Sequence, residues 1–358
     1  MEPRKYAYID SLRGLAILFV VMVHAGQYGA KTQYFPSWLA AFVESGKYGV
    51  QLFFLVSAYT LMLSHRSRQT EKDHLFRFFV RRFFRVAPLY YAAVLYYVLG
   101  RASAFHFADF RVERIPLPVT LANLFFAHGA QPDWINRLVP GGWSITVEMT
   151  FYLVLPLVTL FVKNLNQSVW LLLFSLVLRQ AAEALTVSLP PMFRYYYFPN
   201  QFPVFCLGIT AYFAAQPREM LRPLTLLLLG LSIVWLSVEG IPPHFVYACA
   251  FTMLLLALRQ YPYRALVNPF FTFLGKISFS IYLVHFIVLH WLGTCGFVDY
   301  LAVTDTWSAV ADFGLRYIIL LGLSAAVSTI TYYRIELPFM KLGKKLLQAR
   351  KEQTAIIS

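Results

Sequence analysis

The sequence predicts an all-α, polytopic membrane protein with about ten transmembrane helices. Of its 358 residues, 59% are hydrophobic and only 13% are charged, and the mean hydropathy is +0.58. A soluble protein of this length would contain about a quarter charged residues. Apolar stretches close to 20 residues long, the length that crosses a bilayer as a helix, recur along the chain. These observations exclude a soluble globular protein.

Ten stretches are predicted as transmembrane helices. They lie near residues 12–29, 48–64, 86–100, 143–162, 168–187, 198–215, 223–239, 244–258, 272–292 and 310–333. A further apolar stretch, 117–127, is short and interrupted by Asn123. We expect it to be re-entrant, because irregular backbone at membrane depth is tolerated where protein surrounds it. The first stretch lacks a clear small-residue cleavage site, which favours a retained helix over a signal peptide.

Positive charge predicts the orientation of the helices. The net charge is +14. Ten spans place both termini on one side, where the termini and loops hold 22 Lys and Arg residues against seven in the opposite loops. Cytoplasmic loops have this excess, so both termini are predicted to be cytoplasmic, and no nucleic-acid partner is expected. Residues 1–340 are predicted to form one transmembrane domain, and residues 341–358 a basic cytoplasmic tail that contacts membrane lipids.

The first predicted helix contains a polar stripe of Asp10, Arg13 and His24. Eleven residues are about three helical turns, so Arg13 and His24 share a face and lie about 16 Å apart along the axis. Asp10 and Arg13 have the i,i+3 spacing of an ion pair. The alternatives are an arginine that only reaches the membrane interface and a structural histidine. Ionisable groups inside a membrane more often indicate function.

A basic segment between the second and third spans predicts a phosphate-binding site. From His65 to Arg85 it contains seven Lys and Arg residues and two acids. Arg77, Arg81 and Arg85 repeat every four residues on one helix face, and Arg82 lies beside them. Guanidinium groups donate paired hydrogen bonds to phosphate. The pattern therefore predicts a site for a multiply phosphorylated ligand, the alternative being a purely topological signal.

Two later helices contain aligned polar side chains. Ser144, Glu148 and Tyr152 follow each other at four-residue spacing, and Tyr282 and His285 share a face of another helix. A carboxylate at membrane depth needs a cation, a hydrogen-bond donor or a proton. Both groups are therefore candidates for a site, with structural pairing and helix packing as the alternatives.

No pattern predicts a metal or a permanently bound cofactor. Cys206, Cys249 and Cys295 are scattered and do not have metal-ligand spacing. Nucleotide-binding glycine loops and the motifs of zinc proteases and serine hydrolases are missing from the sequence.

Together, these residues resemble the integral-membrane acyltransferases of the acyltransferase type three family. The resemblance runs from about residue 6 to residue 340 and includes an alanine, Ala58, where the family has glycine. This chain resembles the stand-alone members, which have no extra periplasmic hydrolase-like domain. The matching motifs are Arg13 with His24, Phe53-Phe54-x-x-Ser57, Arg81-Arg82-x-x-Arg85-x-x-Pro88, Trp143-Ser144 with Glu148 and Tyr152, and Ser280-x-Tyr282-Leu-x-His285.

The resemblance implies transfer of an acetyl group to a hydroxyl of a cell-surface sugar in the bacterial inner membrane. Acetyl-CoA would be the co-substrate, and the acceptor a carbohydrate or lipid-linked glycan such as O-antigen or lipopolysaccharide. We expect His24 to act as general base and Glu148 to orient its imidazole. The donor-binding residues would be Arg13, Arg81, Arg82 and Arg85. The supporting residues would be Asp10, Ser57, Trp143, Ser144, Tyr152, Tyr282 and His285.

Several alternatives stay open at this point. An acyl-enzyme on His24 or a serine is compatible with the same residues, and the acyl group could be succinyl or longer. A proton-coupled transporter or a flippase of a glycan or lipid is the main alternative from another class. The sequence shows no repeated halves, which counts against a transporter. A non-catalytic scaffold leaves the aligned polar groups unexplained.

Overall fold

The computed structural model describes residues 6–28, 34–102, 115–217, 240–297 and 299–357. Within these ranges the chain is helical and contains no β-strand, which confirms the predicted all-α class. Helices α1 to α14 span Ala7–Gln27, Ser37–Ser45, Gly49–Arg68, His74–Ala102, Leu117–Leu124, Gly142–Phe161, Leu165–Leu185, Pro191–Tyr196, Phe198–Ala214, Pro243–Gln260, Pro269–Lys276, Ser278–Thr294, Thr306–Thr331 and Leu337–Ile357.

The helices confirm a multi-pass membrane protein. In the described ranges, six helical segments are long and apolar enough to cross a membrane, or seven when α11 and α12 count as one bent span. The shorter helices α9 and α10 occupy the predicted spans 198–215 and 244–258. The predicted span 223–239 lies outside the described residues. Helix α5 has eight residues, about 12 Å at 1.5 Å per residue, too short to cross a bilayer.

The basic segment from residue 65 to 85, predicted to connect two spans, is mostly helix. Helix α3 continues to Arg68 and α4 begins at His74, so the connection is only residues 69–73. Helix α4 has 29 residues, about 43 Å, whereas the hydrocarbon core is about 30 Å thick. The helix is therefore longer than the apolar layer is thick, and Arg77, Arg81, Arg82 and Arg85 lie within its first twelve residues.

The predicted span 272–292 is broken. Helix α11 ends at Lys276, α12 begins at Ser278, and their axes differ by 75°. The first half begins with a defined cap, because the Asn268 side chain accepts a hydrogen bond from the backbone N–H of Phe271. The break directs α12 away from the path of α11, and α12 is the helix that contains Tyr282 and His285.

Helix α1 lies in the centre of the bundle and contacts α3, α11, α12 and α13. Its close approach to α11 depends on two glycines. A Cβ atom on Gly14 would overlap the carbonyl oxygen of Phe271, and one on Gly275 would overlap the carbonyl oxygen of Asp10. Because the two backbones touch, the position of α11, and of α12 after it, is fixed relative to α1.

Replacement of Gly275 by alanine is expected to destabilise the protein. The added methyl group has no room beside the Asp10 carbonyl, and overpacking of this kind costs about 1–3 kcal/mol. Gly322→Ala is the matched control, because a Cβ atom there meets nothing within 4 Å. Thermal unfolding of both variants in detergent measures the difference. Equal unfolding temperatures for Gly275→Ala and Gly322→Ala would contradict the close backbone contact.

Candidate functional site

A polar cavity lies among α1, α3, α4, α6 and α12. It has a volume of about 90 Å³ and is lined by Arg13, Val50, Phe53, Phe54, Ser57, Arg82, Arg85, Val86, Ser144, Ile145, Glu148, Tyr152, Ser278, Phe279 and Tyr282. We call it the arginine cavity. It brings together predicted residues from all five sequence motifs. Three guanidinium groups around one space make it a candidate site for an anionic ligand.

Arg13 enters the arginine cavity from α1. Its Nη1 lies 3.3 Å from Oδ1 of Asp10, which confirms the ion pair predicted from their spacing. Its Nη2 donates to the hydroxyl of Thr60 at 3.2 Å. The two contacts hold the guanidinium at the wall of the cavity, one helical turn after the Asp10 carbonyl that touches Gly275.

The arginines of α4 have different surroundings. Arg82 lies over the rings of Tyr152 and Phe78, at 5.6 and 5.9 Å. Its Nε is buried and has no hydrogen-bond acceptor among the described residues. Nη1 of Arg85 lies 3.4 Å from Oε2 of Glu336. This buried carboxylate belongs to a π-helical turn, Tyr332–Glu336, between α13 and α14. Unpaired buried donors are rare, so Arg82 offers a hydrogen bond to a ligand.

Arg81 is oriented differently from its two neighbours. It donates to Glu71 in the short connection between α3 and α4 and is not among the residues that line the arginine cavity. Burial raises the pKa of the Glu71 carboxyl, but the hydrogen bond from Arg81 and the charges of Arg81, Arg68 and Arg77 outweigh it and leave the pKa lowered. Arg81 therefore has a charged partner already, and its predicted role in donor binding stays a prediction.

Glu148 is held by two hydroxyl groups. Ser57 from α3 and Tyr152 from the next turn of α6 both donate to its Oε1 at 2.6 Å. Ser57, assigned from the motif in the second span, thus has a defined contact. Two hydroxyl donors in place of a direct salt bridge leave the second carboxylate oxygen of Glu148 available at the cavity wall.

Tyr282 forms the far wall of the arginine cavity. Its hydroxyl accepts a hydrogen bond from Ser144 at 2.7 Å and donates to the carbonyl of Gly141 at 3.0 Å. Gly141 has a φ of +75° and immediately precedes α6, and a Cβ atom there would lie 2.9 Å from the Tyr282 hydroxyl. Glycine is therefore required both by the backbone conformation and by the tyrosine. The adjacent Trp143 stacks on Tyr196, with ring centroids 4.3 Å apart.

His24 lies in a second, larger cavity of about 610 Å³. We call it the histidine cavity. It shares Val50 and Tyr282 with the arginine cavity, so the two spaces adjoin at these side chains. Polar and aromatic residues dominate its remaining wall, among them Gln27, Lys47, Tyr48, Asn136, Trp143, Tyr195, Tyr196, His244 and Phe286. Such a wall combines aromatic surface for packing with polar groups for hydrogen bonds.

The partner of His24 is His285, not Glu148. Nδ1 of His24 lies 2.8 Å from the carbonyl oxygen of Val20 and 3.2 Å from Nε2 of His285. The expectation that Glu148 orients the imidazole is wrong in this respect. Glu148 and His24 line different cavities, because Glu148 faces α3 and α4 whereas His24 faces α12. Sequence spacing on separate helices does not report which faces meet.

Two buried charged residues contact elements that line the cavities, although neither was among the predicted site residues. Glu336, buried to 1% exposure, binds Ser280 and neutralises Arg85. Arg316, 4% exposed, donates to the carbonyl oxygens of Ala25 and Tyr28 at the end of α1, next to His24. It also pairs with Asp312 and Asp299. Burial of charge in an apolar span was the available signal for both.

His128 does not line either cavity. His128 is 1% exposed, and its Nε2 lies 3.0 Å from the carbonyl oxygen of Gly142. Tyr195, by contrast, lines the histidine cavity and accepts a hydrogen bond from Gln51 at 3.1 Å. In the part of the chain that the structure describes, no three His, Cys, Asp or Glu side chains are grouped as metal ligands.

The fold and the site define a multi-pass membrane protein with an arginine-lined cavity and a histidine-lined cavity that adjoin within the bundle. The sequence matches the acyltransferase domain family over residues 6–333, and the chain belongs to this family. The resemblance that the five motifs indicate is thereby confirmed.

Curated relatives carry O-acetyltransferase names. The chain is 24% identical to the O-acetyltransferase OatA of Staphylococcus aureus strain MRSA252, over 99% of this chain and 61% of that protein. It is 28% identical to the peptidoglycan O-acetyltransferase OatA of Listeria monocytogenes, over 43% of this chain and 24% of that protein. The chain thus spans about three fifths of the length of the Staphylococcus relative. No solved structure gives a significant match.

Proposed function

We propose that this protein is a membrane O-acetyltransferase that moves an acetyl group from cytoplasmic acetyl-CoA to a hydroxyl of a cell-surface glycan. The observation that supports this most directly is the adjacency of the two cavities. One is lined by Arg13, Arg82 and Arg85, the other by His24, and both are bounded by Tyr282. Family membership and the names of the relatives supply the acyl chemistry.

The donor binds in the arginine cavity. Coenzyme A has a diphosphate and a 3′-phosphate, and arginine donates paired hydrogen bonds to such groups. Arg82 has an unpaired buried Nε for this purpose, and Arg13 lies opposite on α1. Arg13 and His24 are separated by eleven residues of one helix, about 16 Å. An extended pantetheine arm covers a similar distance, so the thioester reaches the wall shared with the histidine cavity.

The acceptor hydroxyl binds beside His24 and attacks the thioester carbonyl carbon. His24 takes the hydroxyl proton as the new C–O bond forms. The C–S bond then breaks, and the thiolate of coenzyme A receives that proton from the imidazolium. The acyl group moves from coenzyme A to the glycan, and the hydroxyl proton moves from the glycan to coenzyme A. No further reactant is needed. Glu148, on the donor side, stabilises the ordered positions of Ser57 and Tyr152 at the cavity wall.

In the membrane, the donor side corresponds to the cytoplasm. The Lys and Arg excess on the side of the α3–α4 connection and of both termini supports this orientation. The proposal includes ten spans, a transmembrane domain of residues 1–340, and a basic tail of residues 341–358 whose helix begins at Leu337. The bacterial inner membrane is the compartment where cytoplasmic acetyl-CoA and an outer glycan meet.

Purified protein with radiolabelled acetyl-CoA tests the proposed reaction. We expect coenzyme A release and label transfer to depend on an added glycan, and mass spectrometry of surface glycans to show O-acetyl groups only in cells with the gene. A transporter would release no coenzyme A. Release without transfer to any glycan hydroxyl would overturn the proposed acceptor class.

Thiol labelling from outside tests the orientation. Cys295 is exposed just after α12, at the end opposite the arginine cavity, so an impermeant maleimide is expected to label it in intact cells. In a Cys295→Ser background, Gln69→Cys places a thiol in the exposed α3–α4 connection. We expect that thiol to react only after permeabilisation. The reverse pattern would place the arginine cavity on the outer side.

A further inference from the structure

The His24–His285 contact allows the proton positions on both rings to be assigned. Nδ1 of His24 lies 2.8 Å from the Val20 carbonyl oxygen, and Nδ1 of His285 lies 3.0 Å from the Ile281 carbonyl oxygen. Each carbonyl belongs to the preceding turn of the same helix. A carbonyl oxygen only accepts hydrogen bonds. An unprotonated Nδ1 at either distance would place two lone pairs against each other, so both Nδ1 atoms bear hydrogen.

The same argument gives the protonation of the other ring nitrogen, Nε2, in both histidines. In neutral rings, protonated Nδ1 leaves Nε2 as an acceptor. Nε2 of His285 lies 3.2 Å from Nδ1 of His24, so it accepts a hydrogen bond from that N–H, which is shared with Val20. Nε2 of His24 makes no hydrogen bond within the described ranges and lies on a ring that lines the histidine cavity. It is the free base.

We infer that His285 is a positioning residue that, together with the Val20 carbonyl, holds His24 in its Nδ1–H tautomer and stabilises the imidazolium formed when Nε2 takes the acceptor's proton. This inference rests on the proposed function. It gives a neutral histidine the place that a carboxylate has in a serine-hydrolase triad. His285 is fully buried, and Phe286 contacts the His24 ring edge-on at 4.4 Å, so the ring cannot turn freely.

A structural role alone does not explain this arrangement. If His285 only filled space, it would not need to offer His24 a second hydrogen-bond acceptor. The Val20 carbonyl already accepts a hydrogen bond from the Nδ1–H of His24. A second acceptor matters when the ring becomes charged, since hydrogen bonds from charged groups are the stronger ones. The charge develops in the transition state, so the benefit falls on kcat.

The test compares His285→Gln with His285→Leu. Glutamine offers a carbonyl oxygen near the position of Nε2, whereas leucine fills space and accepts nothing. We expect His285→Leu to lower kcat roughly 10- to 100-fold, the value of one hydrogen bond to a charged group, with both KM values within about threefold of wild type. His285→Gln should recover most of the loss. His290→Ala, on the same helix and outside both cavities, is the matched control and should retain wild-type kcat.

Wild-type kcat in His285→Leu, or equal losses in the leucine and glutamine variants, would overturn the inference. A second measurement keeps it distinct from the proposed reaction. In ¹⁵N-histidine NMR spectra of the wild-type protein, the His24 signals are identified by their loss in His24→Ala. We expect protonated Nδ1 and unprotonated Nε2, whether or not the protein transfers acetyl groups. The opposite tautomer would disprove the positioning role even if acetyl transfer is observed.

Discussion

Replacement of His24 by alanine is expected to abolish acetyl transfer while the protein still inserts and folds. A positioned general base contributes roughly 10²- to 10⁴-fold to a rate, and His24 lines the cavity proposed to hold the acceptor. The loss should appear in kcat for every glycan acceptor. Glycan-dependent label transfer from acetyl-CoA by purified protein measures it.

The control for this variant is the protein's own stability. The His24 ring contacts Phe286 and His285, but its helix is held at the other end by Gly14 against Phe271 and at this end by Arg316. We therefore expect His24→Ala to retain a monodisperse elution profile and an unfolding temperature close to that of wild type. Normal acetylation by such a folded variant would remove His24 from the mechanism.

Replacement of Arg82 by alanine is expected to raise the KM for acetyl-CoA by about tenfold or more. Its Nε is a buried donor without a partner in the described chain, and its planar group is held over Tyr152. A hydrogen bond to a charged phosphate contributes about 1.5–3 kcal/mol, so the variant should require a correspondingly higher donor concentration. The KM for the glycan should change little, because Arg82 does not line the histidine cavity.

Two variants distinguish this effect from a general loss of positive charge. Lys72→Ala removes a charge from the exposed α3–α4 connection and should leave the KM for acetyl-CoA unchanged. Arg81→Ala breaks the pair with Glu71, and partly exposed pairs contribute about 0–1 kcal/mol, so its effect should be smaller than that of Arg82→Ala. Equal increases in the KM for acetyl-CoA in the three alanine variants, at Lys72, Arg81 and Arg82, would indicate a general effect of positive charge instead of a direct contact with phosphate.

The sequence was sufficient to predict contacts between two residues of the same helix. Helical geometry alone placed Asp10 beside Arg13, and the structure has that pair. Hydropathy located most of the helices, since an apolar stretch of suitable length needs no tertiary information. It missed the break at Ile277, because both halves are apolar and the bend arises from packing against α1 through Gly14 and Gly275.

Contacts between side chains on different helices could not be predicted from the sequence. Glu148 was paired with His24 because both are ionisable groups in apolar spans, yet the structure places Ser57 beside Glu148 and His285 beside His24. Which faces meet depends on the rotation of each helix about its axis, and a single sequence does not contain that angle. The partner of Glu336 could not be predicted for the same reason, since Arg85 lies 251 positions earlier in the chain.

Tyr282 has a consequence beyond the contacts of its hydroxyl group. Its ring, fixed by Ser144 and Gly141, borders both cavities. Under the proposed reaction, the donor enters on one side of this ring and the glycan on the other. One side chain would then bound the place where the acyl group and the hydroxyl meet and would also separate the two entry routes, so that an acyl group could pass without an open path for ions through the protein.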